Sequence, residues 1–307
     1  MKRISVVIPA LNAAGTIGEA IASLRSERDL IEEVLVIDDG SVDDIGSIVM
    51  RAGRDCGLPL SVRTVQKRGP GAARNAGFAA SSAAWIYFLD ADDIHLEGGL
   101  RRLIEQADLE PEAGVVIGPY VRREQGTDRV IAASSEYSRA AVSQAEDFLA
   151  DRMEAINVGF ALISRHAMAD VRFPEAIWYE EDTLFWARLL RRAVVAKIDA
   201  PVMRYNRSRK RSDDRLAVTP AASFFAWRRA LRELLHIGVD ETVLRMREGL
   251  MAIKIARVHY VRGDLRTAAR FLRLARSSPK DLATAWRYWR YRIKVGLKAC
   301  HQLWFGA

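Results

Sequence analysis

Three aspartates within four residues, Asp90, Asp92 and Asp93, are the densest group of chemistry-bearing side chains in the sequence. Their carboxylates repel one another unless a cation joins them. Hard divalent ions such as Mg²⁺ and Mn²⁺ take oxygen ligands and bridge protein to phosphate. A solvated acidic turn in which Asp93 caps the next helix would use the same residues. The pattern by itself leaves both interpretations open.

An apolar segment, Trp85–Leu89, leads directly into these aspartates. It is too short for a typical helix and rich in aromatic residues, so it predicts a buried strand. The aspartates then lie at the carboxyl end of that strand, where open α/β sheets bind their ligands.

Two other apolar segments, Ile4–Ile8 and Val34–Ile37, run into the turns Pro9–Asn12 and Asp38–Ser41. Continuously apolar strands separated by helical segments are typical of a parallel sheet covered on both faces. Further strands are predicted at Leu60–Val65, at Val115–Ile117 with Tyr120–Arg123 as its extension, at Val158–Ile163 and, last, at Val194–Ile198.

A loop rich in glycine and proline, Arg68–Gly71, precedes a predicted helix that carries Arg74. Backbone N–H groups at a helix N-terminus favour an anion, and Arg74 adds a fixed charge with forked donors. An ordinary turn into an alanine-rich surface helix would have a similar sequence, so the loop alone is not diagnostic.

Three acidic residues, Glu180–Asp182, stand at the start of another predicted helix, in which Leu184, Ala187 and Leu190 recur at helical spacing. The helix dipole favours acids in the first turn. Helix capping therefore explains Glu181 and Asp182 as readily as catalysis does.

The composition describes a globular chain of 307 residues, 50% hydrophobic and 28% charged, with one large domain and an appendage. A formal charge of +8 and a pI of about 9.7 favour anionic partners: nucleic acid, phosphorylated substrates or an anionic membrane. Two distant cysteines make no disulfide framework and indicate a reducing compartment. No uncharged apolar run is long enough to span a bilayer.

The last third of the chain changes character. A basic run, Arg204–Ser212, is either a solvated segment or a loop that clamps phosphate through Arg207. From about residue 216 helical periodicity dominates. Apolar residues then recur at intervals of three and four, beside basic residues, which predicts either a helix in a membrane interface or a helix docked on the core. The stripe comprises Trp286, Trp289, Ile293, Leu297, Cys300 and Trp304, and the adjacent basic face comprises Arg287, Arg290, Lys294, Lys298 and His301.

Together these segments resemble the inverting family 2 glycosyltransferases. The resemblance covers roughly the first two thirds of the chain and depends on the order of five individually weak motifs. They are Ser5–Asn12, Val36–Ser41, Gly71–Gly77, Phe88–Asp93, and Glu181–Asp182 followed by Arg188. The basic run departs from the family, because it lacks the Gln-x-x-Arg-Trp of processive members.

The resemblance implies an α/β GT-A fold (the nucleotide-diphospho-sugar transferase fold) with a mostly parallel central sheet. The helical periodicity from about residue 216 predicts an α-helical C-terminal extension. The expected domains are a catalytic domain at 1–215 and a helical region at 216–307, with an interfacial amphipathic helix at 283–305.

The resemblance also implies roles for residues of this sequence. Asp182 is expected to be the general base, assisted by Glu181. Asp92 is expected to be the main ligand of Mg²⁺ or Mn²⁺, with Asp90 reaching the metal or the ribose. The implied donor-binding residues are Pro9, Ala10, Asn12, Asp38, Asp39, Ser41, Gly71, Arg74, Asn75, Asp90, Ala91 and Arg207.

The implied reaction transfers a sugar, with inversion, from a nucleotide-diphosphate donor (UDP is the expected nucleotide) to a glycan or lipid-linked saccharide. Bacterial surface-polysaccharide or exopolysaccharide synthesis is the expected setting. The expected location is the cytoplasm, with peripheral contact to the cytoplasmic face of the inner membrane through the C-terminal helix.

Three alternatives stay open. A metal-dependent nucleotidyltransferase would also need a nucleotide, a metal and an α/β sheet, although its glycine- and lysine-rich N-terminal signature is missing. A non-enzymatic nucleic-acid-binding protein would fit the charge, but no recognised motif supports it and no nucleic acid is expected as a partner. The third alternative is an inactive sugar- or nucleotide-binding scaffold. Such a protein would not need catalytic carboxylates, and the presence of every expected carboxylate argues against it.

Overall fold

Two compact units make up the chain in the computed structural model, which describes residues 3–124, 126–133, 141–153, 156–206, 216–218, 220–279 and 281–305. The first unit comprises Met1–Ala145 and Met153–Ser208, and the second comprises Glu146–Arg152 and Arg209–Ala307. The domain boundary predicted between residues 215 and 216 adjoins residues outside the described ranges and stays a prediction.

The described strands are β1 Ile4–Ala10, β2 Ile31–Asp38, β3 Leu60–Thr64, β4 Trp85–Phe88, β5 Ile94–His95, β6 Ala113–Ile117, β7 Tyr120–Glu124, β8 Thr127–Ile131, β9 Ala161–Ser164, β10 Val194–Lys197 and β11 Met203–Asn206. The described helices are α1 Ile17–Ala22, α2 Ile45–Cys56, α3 Pro70–Ala80, α4 Gly99–Leu109, α5 Ala141–Leu149, α6 Glu181–Leu190, α7 Pro220–Arg232, α8 Glu241–Val261, α9 Leu265–Arg276 and α10 Leu282–Phe305. Short 3₁₀ helices span Arg25–Glu27, Val158–Phe160 and Glu233–Ile237.

A seven-stranded sheet forms the centre of the first unit, in the order β10-β6-β9-β4-β1-β2-β3. Strand β9 runs antiparallel to both of its neighbours, and every other neighbouring pair is parallel. The carboxyl ends of β4, β1 and β2 therefore meet at one edge of the sheet, where the polar turns after these strands lie. The predicted mostly parallel central sheet is confirmed.

Buried β-branched and aromatic side chains explain the central strands. Ile4, Val6, Val7 and Ile8 of β1 are fully buried, which is typical of a strand covered on both faces. Helix α3 packs directly on this strand because Gly77 has no side chain: a Cβ there would lie 2.2 Å from Cγ1 of Val7.

A second sheet, in the order β5-β11-β7-β8, was missed by the sequence patterns. The segment Tyr120–Glu124 does not extend β6, because Gly118 and Pro119 interrupt the strand, and it pairs with β8 and β11 instead. Strand β10 is not the last strand, since β11 follows it and overlaps the start of the predicted basic run.

The strand predicted over Val158–Ile163 is wrong in its first half, which forms a 3₁₀ turn before β9. The side chain of Asn157 accepts a hydrogen bond from the Gly159 N–H at 2.9 Å and so closes the turn. The Tyr87 hydroxyl donates to the Gly159 carbonyl at 2.7 Å, which ties the turn to β4.

Helices form the second unit. Asp240 and Asp264 cap α8 and α9, each through backbone N–H groups of the first turn. Gly263, at φ +85°, makes the tight connection between these two helices. Helix α10 packs against both. Among the described residues, no helix combines the length and the apolarity needed to cross a membrane.

Candidate active site

The turns after β1 and β2 are cross-linked at the carboxyl edge of the sheet. Asn12 occupies the left-handed region at φ +51°, which asparagine tolerates better than most residues. Its N–H donates to the Ser41 hydroxyl at 2.9 Å, and its side-chain oxygen accepts from the Val42 N–H at 3.0 Å. Asp38 accepts from the Ser41 N–H at 2.8 Å and closes the turn. Pro9 and Ala10 pair in register with Ile37 and Asp38.

Asp39 orders the loop that leads into α3. Its side chain is buried, and its two carboxylate oxygens accept from the N–H groups of Arg68 at 2.8 Å and Gly69 at 2.9 Å. Gly69 has a φ of +96°, a conformation that favours glycine. Asp39, which was predicted to bind the donor, thus fixes the backbone of the loop before α3.

Arg74 joins the acidic turn after β4 to the start of α6. Its guanidinium is buried; Nη2 donates to Oδ1 of Asp90 at 2.7 Å and Nη1 donates to Oε1 of Glu181 at 3.0 Å. The same group lies over the Phe173 ring, 5.2 Å from its centroid. One cation therefore brings together two carboxylates that are 91 residues apart in the sequence.

Asn75 and Gly71 hold the segment before α6 against α3. The Asn75 amide donates to the Phe173 carbonyl at 2.9 Å and accepts from the Phe173 N–H at 3.0 Å. A Cβ on Gly71 would lie 2.6 Å from the Pro174 carbonyl oxygen, so only glycine permits this approach. Both residues, predicted to bind the donor, thus position the segment before α6.

The turn that carries Asp90, Asp92 and Asp93 is fastened to β11. Buried Asp93 accepts from the Asn206 N–H at 3.0 Å, and the Asn206 side chain donates to the Asp92 carbonyl at 2.7 Å. Helix α4 begins only at Gly99, so the interpretation of Asp93 as its cap is wrong. Ala91 is buried, whereas the side chains of Asp90 and Asp92 are partly exposed.

The donor atoms on this turn fit Mg²⁺ or Mn²⁺. Both side chains supply carboxylate oxygens, the ligands that these hard ions prefer. Among the described residues no three His, Cys, Asp or Glu side chains form a metal cluster. Mg²⁺ is commonly held by one or two carboxylates, with substrate phosphates completing its coordination.

The start of α6 concentrates negative charge around Asp182. Glu180 adopts φ +55° as the residue before the helix, and its carboxylate accepts from the Thr183 hydroxyl at 2.8 Å. Burial, reinforced by the charges of Glu181 and Glu180, raises the pKa of Asp182 to about 7. Arg74 and the Thr183 N–H, which donates to Asp182 at 2.8 Å, oppose that shift in pKa. A carboxylate with such a pKa can take up a proton near neutral pH.

The structure adds Phe173, Asn206 and Asp93 to the residues that organise the site. No local signal marked the first two, since each acts through a partner about 100 residues away in the sequence. Asp93 could have been distinguished from a cap by the strand-like Ile94–His95 that follows it. Arg207 lies outside the described residues.

Comparisons with known proteins agree with this architecture. The family model described as Glycosyl transferase family 2 matches residues 5–172, more than half of the chain. The succinoglycan biosynthesis protein ExoU of Rhizobium meliloti is 44% identical over 103 residues, which are 34% of this chain and 30% of that protein. A β-1,3-glucosyltransferase of Campylobacter jejuni, named as acting on GalNAc(5)-diNAcBac-PP-undecaprenol, is 27% identical over 62% of this chain and 60% of its own length. The matches thus span between about a third and three fifths of these relatives.

Solved structures share the fold. TarS of S. aureus, in complex with UDP-GlcNAc, aligns with a TM-score of 0.64 at 18% identity, covering 97% of this chain and 89% of that one. Glucosyl-3-phosphoglycerate synthase of Mycobacterium tuberculosis, in complex with Mn²⁺, UDP and glucosyl-3-phosphoglycerate, aligns with a TM-score of 0.51 at 21% identity, covering 78% and 81%. The predicted GT-A fold is confirmed, and the chain belongs to glycosyl transferase family 2.

Proposed function

We propose that this protein transfers a sugar from a UDP-sugar to a hydroxyl group of a saccharide acceptor, with inversion at the anomeric carbon. The observation that carries the proposal is the position of Arg74 between Asp90 and Glu181. This arrangement joins an acidic turn suited to a nucleotide diphosphate with an acidic helix start suited to activating a hydroxyl.

The donor would lie along the carboxyl edge of β1, β2 and β4. The cross-linked turns at Asn12 and Ser41 provide a rigid wall for the nucleoside. Asp39 supports this wall by holding the backbone of Arg68 and Gly69. The two neighbours in fold were solved in complex with UDP-GlcNAc and with UDP, and this supports UDP as the nucleotide.

Asp92, with Asp90, would hold Mg²⁺ or Mn²⁺ against the diphosphate of the donor. The bound ion supplies Lewis-acid stabilisation of the negative charge on the leaving UDP. Asp90 would also orient Arg74, because its carboxylate accepts a hydrogen bond from the Arg74 guanidinium.

Asp182 would accept the proton of the attacking hydroxyl. A sugar hydroxyl is a weak nucleophile with a high pKa, so removing its proton during attack assists the reaction. The pKa of about 7 places this carboxylate near the working range of a general base. Direct displacement forms the new C–O bond as the bond to UDP breaks, and the anomeric centre inverts without a carboxylate nucleophile.

The acceptor would be a growing or lipid-linked saccharide in bacterial polysaccharide assembly. The ExoU protein is named for succinoglycan biosynthesis, and the Campylobacter relative is named for an undecaprenol-linked acceptor. An acceptor of that kind requires the enzyme to work at a membrane surface, on the cytoplasmic side where nucleotide sugars are made.

Calorimetry and a transfer assay test this function on the same samples. UDP binding should tighten with Mn²⁺, lose that gain in EDTA, and lose it in Asp92→Asn. Asp182→Asn should bind UDP normally but transfer or hydrolyse a panel of UDP-sugars about 10²–10⁴-fold more slowly. Asp170→Asn, which removes an exposed carboxylate of the same unit, is the control and should behave as wild type. UDP affinity that is the same with Mn²⁺ and with EDTA would refute the metal role. Wild-type turnover in Asp182→Asn would refute the role of Asp182 as general base.

A further inference from the structure

Helix α10 exposes a continuous apolar stripe. We call the outward residues Leu282, Trp286, Trp289, Ile293 and Leu297 the tryptophan stripe. Each of them is more than half exposed, between 56% for Trp289 and 91% for Leu282. The residues recur at intervals of four, three, four and four, so they lie on one side of a helix that turns by about 100° per residue. The stripe runs for about 22 Å along the axis, at about 1.5 Å per residue. The side chains of Cys300 and Trp304, which the sequence spacing would add to it, lie outside the described residues.

The opposite side of the same helix makes the contacts with the helical unit. Thr284, Tyr288 and Val295 are buried, and α10 packs on α8 and α9. Since this face already anchors the helix, the tryptophan stripe is not what holds α10 to its own unit. The helix therefore docks on its own unit, as one of the two predicted alternatives has it, but through the face opposite the tryptophan stripe.

Basic side chains border the stripe. Arg287, Arg290, Lys294 and Lys298 follow one flank, Arg292 lies on the other, and residues 282–305 include no Asp or Glu. The Arg290 guanidinium lies 5.1 Å from the Trp286 ring centroid, and that of Arg292 lies 5.8 Å from the Trp289 ring. These contacts hold the charges beside the indole rings, at the margin of the apolar surface.

We propose that the tryptophan stripe docks the protein on an anionic phospholipid bilayer. Tryptophan rings favour the boundary between lipid headgroups and acyl chains, and basic residues beside them attract anionic headgroups. A second copy of the chain is a poorer occupant, because pairing two stripes would bring ten Lys and Arg side chains together without an acidic residue on either helix. The docking does not depend on the transfer reaction and can be tested separately from it.

Vesicle sedimentation of the full-length chain tests the proposal. The probes are large unilamellar vesicles of phosphatidylcholine alone and of phosphatidylcholine with 30% phosphatidylglycerol, each at low and high salt. Binding should be strong only on the anionic vesicles and should fall with salt. Replacing Arg290 and Lys294 with glutamine should weaken partitioning about 25-fold, at about fivefold per basic residue near an anionic surface. Trp286→Ser combined with Trp289→Ser should weaken it at least tenfold.

Matched controls come from the same unit. Arg266 and Arg273 are exposed on α9, and replacing both with glutamine removes equal charge without touching α10. Val261 and Leu274 are exposed apolar residues away from the stripe, and replacing both with serine controls for lost hydrophobicity. Both control variants should sediment as wild type.

Three results would overturn the proposal. The first is equal binding to neutral and anionic vesicles. The second is equal sedimentation of the tryptophan variant and wild type. The third is a wild-type dimer in solution that only the tryptophan variant dissociates, without an effect on vesicles. Circular dichroism and UDP calorimetry on each variant separate docking from misfolding, and they separate a failure of docking from a failure of the proposed transfer function.

Discussion

Removing the guanidinium of Arg74 should be one of the most damaging single changes in the first unit. Arg74→Met leaves the Glu181 carboxylate, whose side chain is 9% exposed, without its cation. Breaking a buried pair by deleting one partner costs about 3–5 kcal/mol of unfolding free energy. Asp90 contributes less to that cost, because its side chain is 29% exposed and water can replace part of the lost contact. For a domain of this size the melting temperature should fall by about 6–20 °C.

A double-mutant cycle identifies the cause. Glu181→Gln should lower the free energy of unfolding by less than Arg74→Met does, since Arg74 keeps its hydrogen bond to Asp90. The double variant should lose clearly less than the sum of the two single losses, by at least about 1 kcal/mol, because it no longer buries an unpaired carboxylate. Arg101→Met is the matched control, because Arg101 also pairs with a carboxylate, that of Asp29 at 2.7 Å, but in an exposed position. That change should cost less than about 1 kcal/mol.

Urea unfolding followed by circular dichroism measures wild type and the four variants at pH 7.5. If the Arg74 and Glu181 losses add within about 0.5 kcal/mol, the two side chains do not act as a pair. If Arg74→Met lowers the free energy of unfolding by no more than Arg101→Met does, burial does not increase the contribution of this ion pair to stability. Either result would also remove the link between the acidic turn and α6 on which the proposed site depends.

The structure also determines whether two further substitutions raise or lower the stability of the fold. Gly71→Ala should lower the melting temperature, because the new Cβ would lie 2.6 Å from the Pro174 carbonyl oxygen. Gly46→Ala in α2 is the control, since its Cβ meets open space and the change should be neutral or stabilising. Equal melting temperatures of the two variants in thermal scans would contradict this. Asp182→Asn should stabilise the fold progressively from pH 4.5 to pH 8. Between the ordinary pKa of 3.8 and the folded value of about 7, the unfolded chain ionises while the folded carboxyl keeps its proton, so wild type alone loses stability as pH rises. A difference in melting temperature between Asn and wild type that is constant with pH would contradict the raised pKa.

The sequence alone determined the elements whose signal is local. Continuous β-branched and aromatic runs predicted β1, β2 and β4, since burial on both faces of a parallel sheet demands such residues. The polar turns at their ends, acidic after β2 and β4, predicted where polar side chains would gather. Helical spacing likewise predicted α10 before its surroundings were known.

Tertiary structure decided everything that depends on a distant partner. The short strands β5, β7, β8 and β11 have no strong period of their own and exist because they pair with one another. The Asp93 carboxylate is held by the Asn206 N–H from a distant strand, and the buried Arg74 guanidinium is held by both Asp90 and Glu181. Helix α10 has an apolar stripe in sequence, but packing alone decides that Tyr288 and Val295 face the protein while the tryptophan stripe faces outward. A local pattern specifies which side chains share a face, whereas the burial and pairing of that face depend on contacts that only the folded chain makes.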